Sequence, residues 1–219
     1  MNLKTKNAFL FSGILFVLFA ILTVSLCLFD CQPIGPQNSE VGLATLNGFV
    51  FNTLGESEFW YDVTELLGMV VLLTAGCFGI LGVYQLFRRK SLKKVDADLY
   101  LLAACYVAVI VLYVLFELVV INCRPVLEEG VLEASYPSSH TMLAVFIMST
   151  AAMQILRRVN LKWLKIALVI LSLAILLIVV IGRLLSGVHW FTDILAGALL
   201  SGALSTFYYA VCKRFLWID

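Results

Sequence analysis

Charge is what this sequence has least of. Of its 219 residues only 13% are Asp, Glu, Lys or Arg, while 62% are hydrophobic. A water-soluble domain carries roughly twice that share of charge, about 25%, so a soluble fold is excluded. The net charge is +1 and no basic tract is present, which leaves nothing that points to a nucleic-acid partner. Histidine is scarcer still: His140 and His189 are the only two. No group of metal-ligand residues gathers around them, so no metal and no other cofactor is expected. Internal repeats and low-complexity tracts are also missing, and with them any sign of a solenoid or a disordered arm.

Long apolar runs take the place of all these. At roughly 20–25 residues per crossing, a chain of this size holds five to seven membrane helices and no separate soluble domain. The runs predict six spans, at about 8–29, 63–87, 99–121, 138–156, 163–181 and 194–212, in a single domain over 1–219. The first is too long for a signal-peptide core and no small-x-small cleavage site follows it, so it reads as a real helix. Glycines 68, 76, 79 and 82 in the second span suit close helix contact. Between the first two spans, residues 41–54 are weakly amphipathic and read as a short interfacial helix. Trp60, Tyr61, Trp190 and Trp217 read by default as an interfacial belt. Cys27, Cys77, Cys105 and Cys212 read as apolar packers; Cys31 and Cys123 share a boundary and could pair, with free thiols the favoured reading.

The basic residues orient the bundle. Thirteen of the fifteen Lys and Arg fall in segments on one side, which the positive-inside rule makes cytoplasmic, with both termini there. The other two, Arg124 and Arg183, lie on the far side beside the two histidines. A face that has kept only these four basic groups is hard to explain by solvation alone.

Three segments hold them. Arg124-Pro125 closes the third span, the proline stopping the helix. Pro137-Ser138-Ser139-His140 opens the fourth, where free backbone N–H groups and the helix dipole favour an anion. Gly182 to Asp193 packs Arg183, His189 and Asp193 between two apolar runs. A spacing of four places the Asp193 carboxylate over the His189 imidazole on a helical turn, which would fix its tautomer and sharpen the other nitrogen as nucleophile or base. Taken singly, each segment also suits an ordinary role: a snorkelling anchor, a Ser/Pro helix start, a satisfied interfacial pair.

In order and spacing, Arg-Pro, Pro-Ser-x-His and Arg-x5-His-x3-Asp resemble the three-part signature of the type 2 phosphatidic acid phosphatase family, whose site is similar to that of vanadium haloperoxidases and bacterial acid phosphatases. The resemblance implies an all-α, six-helix transmembrane bundle with a haloperoxidase-like core. It implies His189 as a nucleophile that becomes a phosphohistidine, Asp193 as its orienting group and His140 as the proton donor to the leaving group. Arg124, Arg183, Ser138 and the amide near Ser139 would hold the phosphate oxygens. Phosphoryl transfer needs positioning and charge stabilisation above all, and one such donor is worth on the order of 3 kcal/mol.

The sequence departs from the family pattern at three places. Glu117 stands where the family has lysine, seven residues before Arg124 and so on the same face of a continuing helix. It either lines the pocket, altering specificity or pH dependence and meeting a cationic head group, or sits aside as a helix-end acid. Ser139 replaces a glycine, and Gly182 replaces a serine. The function expected by resemblance is hydrolysis of a lipid phosphate or diphosphate: undecaprenyl diphosphate, phosphatidylglycerol phosphate or phosphatidic acid. The site would face the non-cytoplasmic side of a plasma membrane, in a chain whose plan looks bacterial. A lipid phosphotransferase using the same histidine and a non-catalytic lipid-binding or transport protein are the alternatives.

Overall fold

The protein's computed structural model describes residues 3–128 and 130–217. Among these residues seven α-helices follow in order: α1 (Leu3–Leu28), α2 (Ala44–Leu54), α3 (Glu58–Arg89), α4 (Ala97–Leu118), α5 (Ser139–Arg158), α6 (Lys162–Leu185) and α7 (Phe191–Val211). All but α2 are long and apolar enough to cross a membrane. There is no strand among the described residues; isolated antiparallel bridges, Gln32 with Val41 and Cys123 with Ala134, pin the two long connections instead.

Helices α5 and α7 form the inner pair. Their apolar windows are 56% and 50% buried, against 22% or less for the other four spans. Small side chains (Ala144, Ala151, Ala152, Ala196, Ala203) let their backbones approach their neighbours. The hydroxyls this leaves inside return to the backbone: Thr150 donates to the Phe146 carbonyl at 2.8 Å, and Ser12 of α1 donates to Ala203 of α7 at 2.8 Å. Around this pair α1, α3, α4 and α6 turn rows of Leu, Ile, Val and Phe outward. That is the arrangement expected of a multi-pass protein whose solvent is hydrocarbon.

Several boundaries differ from the sequence expectation. Helix α3 begins at Glu58, five residues early, and so carries Glu65 well inside it. Helix α4 stops at Leu118; Pro125 therefore does not end it, and Glu117 and Arg124 do not share a helix face. Helix α6 runs on to Leu185 and holds Arg183 in its last turn. His189 sits in the turn before α7, so its spacing to Asp193 is not that of a helical pair. Glycines 76, 79 and 82 face open space, and only Gly68 of that group meets another helix. Trp190 and Trp217 are buried, 2% and 8% exposed. They do not form a belt, because each indole N–H has an internal partner: the Cys123 carbonyl at 2.7 Å and Asp98 at 3.0 Å. Cys31 and Cys123 are free thiols. Of the glutamates between α4 and α5, Glu129 lies outside the described residues.

Candidate active site

Two helix starts and one helix end converge on one side of the bundle. Ser138 caps α5, its hydroxyl accepting from the Thr141 N–H at 3.4 Å. Its own N–H donates to the Asp193 carbonyl at 3.1 Å, which ties the start of α5 to the start of α7. Asp193 completes the cap of α7 by accepting from the Trp190 N–H at 3.0 Å, and its other oxygen accepts from Asn122 at 3.3 Å. Beneath them the short helix α2 is docked by Asn47, which donates to Thr192 at 2.9 Å and accepts from the Thr192 N–H at 3.2 Å.

His189 is buried in this frame, and its Nδ1 lies 3.1 Å from the Ser135 carbonyl and 3.9 Å from Asp193. The expected carboxylate is near, but the hydrogen bond goes to the carbonyl, while the Asp193 oxygens accept from Trp190 and Asn122. A carbonyl only accepts, so Nδ1 carries the hydrogen and Nε2 keeps its lone pair. Burial lowers the ring's pKa from its ordinary 6.5; Asp193 opposes the shift, and the charges of Arg183 and Arg124 add to it. Burial thus favours the uncharged imidazole. Its Nε2 is buried with no hydrogen-bond partner.

Arg183, 1% exposed, donates through Nη1 to Glu65 at 3.0 Å and to Thr64 at 3.3 Å, while its guanidinium lies 5.4 Å above the ring of Tyr61. Its Nε is unpartnered. The close approach of α6 to α3 depends on Gly182: a Cβ there would come within 2.6 Å of Thr64. Thr64 fills the place that a side chain at 182 would take, and its hydroxyl accepts from Arg183. Arg124 belongs to the bridged segment after α4, where its N–H donates to the Glu133 carbonyl at 3.0 Å. Its guanidinium is ion-paired with Glu128 and, at 3.2 Å, with Glu133, yet Nε and Nη1 make no hydrogen bond. Tyr61 donates to Glu128 at 2.6 Å and links that segment to α3.

His140, in the first turn of α5, places Nε2 3.3 Å from Glu65. Arg183, Glu65, His189 and Arg124 all face it. Ser139, Glu117, Arg124 and His189 line one narrow cleft together with Tyr113 and Tyr136. Ser138 is buried behind that cleft as a helix cap and does not line it. An apolar cavity of about 250 Å³ between α3, α4 and α5, lined by Leu72, Val109, Ile110, Met142 and Leu143, shares Tyr113 and Ser139 with the cleft.

Of the eight residues singled out in the sequence, Glu117, Arg124, Ser139 and His189 line this cleft; His140 and Arg183 meet through Glu65, and Asp193 and Ser138 tie the two helix starts together behind His189. Sequence reasoning missed Glu65, Thr64, Ser135 and Asn122. Glu65 left a signal, being an acid inside an apolar span. Ser135 acts through its backbone carbonyl, and Asn122 through long-range packing, so neither left any.

Buried donors and a lone pair without partners are rare in folded proteins and mark a place for something else. Here four cationic or potentially cationic side chains and the N-terminus of α5 meet, an arrangement suited to a polyanion such as a phosphoryl group. Comparison with known proteins gives the family and the fold. The family model of the PAP2 superfamily matches residues 99–217. Among curated proteins none matches. Among solved structures, a transmembrane PAP2-type phosphatidylglycerolphosphate phosphatase from Bacillus subtilis superposes with a TM-score of 0.68 at 19% identity, over 95% of this chain and 98% of that one.

Proposed function

The chain belongs to the PAP2 superfamily, and from that premise we propose that it is a membrane lipid phosphatase that works without a metal, through a phosphohistidine. The observation that carries the reading is the bare, buried Nε2 of His189, within the field of two arginines that each keep nitrogen donors without a hydrogen bond.

In the first step the Nε2 lone pair attacks phosphorus, the P–O bond to the lipid breaks, and the leaving oxygen takes a proton from His140. In the second, water gives a proton back to His140 as its oxygen attacks phosphorus, and the P–N bond breaks to release phosphate. The Ser135 carbonyl holds the tautomer that aims Nε2 at phosphorus. Asp193, at 3.9 Å, stabilises the positive charge that the ring gains on attack. Arg124, Arg183 and the Ser139 amide take the non-bridging oxygens, whose charge grows toward the transition state. These groups supply the positive charge that phosphoryl transfer requires.

The apolar cavity beside the cleft suits a hydrocarbon chain and supports a lipid substrate. The name of the Bacillus subtilis protein makes phosphatidylglycerolphosphate the first substrate to try, with phosphatidic acid and undecaprenyl diphosphate next. The positive-inside rule puts the site on the non-cytoplasmic side. Phosphate release by the purified protein in detergent, with EDTA present, tests the proposal. Release that persists in EDTA and disappears in His189→Ala is the expected result; no release from any of the three lipids, or release abolished by EDTA, contradicts it.

A further inference from the structure

Glu65 lies outside all three motif segments, yet both of its ion-pair partners belong to them. One oxygen, Oε1, is 3.0 Å from Arg183 Nη1 and 3.3 Å from His140 Nε2. The wall of α3 is shaped for this contact. Gly68, one turn beyond Glu65, lies against the imidazole of His140, and a Cβ there would come within 3.0 Å of Cδ2 and 3.2 Å of Nε2. Thr64, on the other side of Glu65, takes the second contact of the same Arg183 nitrogen.

Resting on the phosphatase reading above, we infer that Glu65 is a positioning residue for phosphoryl transfer: it fixes His140 and Arg183 in one array and offers a carboxylate to the imidazolium that protonates the leaving group. The charged and titratable groups that face His140 are Glu65 from α3, Arg183 from α6, Arg124 from the segment after α4, and His189 from the turn before α7. Glu65 is the acid among them. Burial and two fixed cations disfavour a positive charge on His140, and the carboxylate at hydrogen-bond distance acts the other way. With Nε2 held by Glu65, Nδ1 is the ring nitrogen left to exchange the proton. The glutamate stays ionised through both steps and forms no bond to substrate.

The carboxylate does not occupy the phosphoryl seat. Arg183 Nε and His189 Nε2 remain bare, and neither is a partner of Glu65. Arg183 thus has one nitrogen tied to α3 and another left for the substrate.

The test uses the full-length protein in detergent and two substrates, a lipid alkyl phosphate and an aryl phosphate. The aryl phosphate's leaving group needs no proton, so loss of general-acid function affects it little. Glu65→Gln is expected to lower kcat on the lipid by about 10–100-fold, the scale of acid–base catalysis, and on the aryl phosphate by under about fivefold. The alkaline limb of its pH profile should move to lower pH, and Glu65→Asp should recover part of the loss. Equal losses on both substrates with an unmoved pH profile would reduce Glu65 to a structural role. Unchanged or raised activity would overturn the inference, raised activity marking the carboxylate as a competitor of phosphate. If Glu65→Gln fails to fold, the same comparison is made with Glu65→Asp, for which a smaller loss of the same pattern is expected. An unmutated protein that releases no phosphate removes the phosphatase reading itself, and the inference with it.

Discussion

Two arginine-centred clusters sit at opposite ends of α5, built from similar residues and finished differently. At the basic end, Arg158 spends its whole fork: Nη1 donates to Asp96 at 2.6 Å, Nη2 to Asp98 at 2.7 Å and Nε to Gln154 at 2.5 Å. Asp98 is completed by Gln154 at 3.2 Å and the Trp217 indole at 3.0 Å, and Asp96 by Arg89 at 2.6 Å and Gln85 at 2.9 Å. Burial of Asp96 works against its charge, but hydrogen bonds from Arg158, Arg89 and Gln85 outweigh it and hold the carboxyl well below the usual carboxylate range. At the other end Arg183 uses Nη1 and leaves Nε bare, Arg124 is paired without hydrogen-bond geometry, and His189 Nε2 has nothing. A closed network fixes helices against one another; an open one fixes donors around a gap. Residue type does not separate clamp from site here. Completeness does.

Mutations at the two ends should therefore fail in different ways. The largest effect is expected at His189. His189→Ala should lower phosphate release by at least about 10⁴-fold, as for loss of a covalent nucleophile, with the thermal unfolding midpoint in detergent nearly unchanged. Asp98→Ala should do the reverse. Breaking a buried pair from one side costs about 3–5 kcal/mol, read as a lower unfolding midpoint, while the folded fraction keeps its kcat. Were Asp98→Ala to spare stability and lower kcat, the division between clamp and site would fail. Next comes Arg183→Ala, expected to cost about 10²–10³-fold in kcat, the scale of one oxyanion donor, measured on the same lipid.

Smaller effects sharpen the picture of the cleft. The acid limb of the pH–rate profile should fall below the ordinary histidine value of 6.5, because the lowered pKa of His189 keeps the nucleophile uncharged as pH drops through that value. An acid limb above it would contradict the buried, neutral ring. Glu117 lines the cleft and is not an ion-pair partner of Arg124. Glu117→Lys and Glu117→Ala should change kcat/KM by under about tenfold but reorder a panel that includes an amine-bearing lipid phosphate. An unchanged order would leave Glu117 as a helix-end acid.

Much of this was legible in the residues. Six apolar runs were enough for the bundle, and the isolation of Arg124, Arg183, His140 and His189 from the other basic residues pointed to the end where these four side chains gather. What the sequence hid is physical in each case. Helix ends shifted where tertiary contacts extend or cut a run, so Arg183 moved onto α6 and Arg124 off α4. The His189–Asp193 spacing suggested a direct pair, but the Trp190 N–H and the Asn122 side-chain amide each took one Asp193 oxygen, and a carbonyl far along the chain took the imidazole hydrogen. Glu65 was visible as an acid in an apolar span, but its partners could be known only once α3, α5 and α6 were packed. The closed cluster could not be told from a second site by composition, since only geometry shows that every donor is used.

The central claim is that His189 Nε2 is the atom that takes the phosphoryl group, and it can be tested by trapping. The protein is mixed with a lipid phosphate carrying ³²P and quenched in alkali within the first turnover, and the label on protein is followed. The account predicts a label stable in alkali, lost in acid, and absent from His189→Ala. Phosphate release that continues in His189→Ala, or an acid-stable label on another residue, would contradict it.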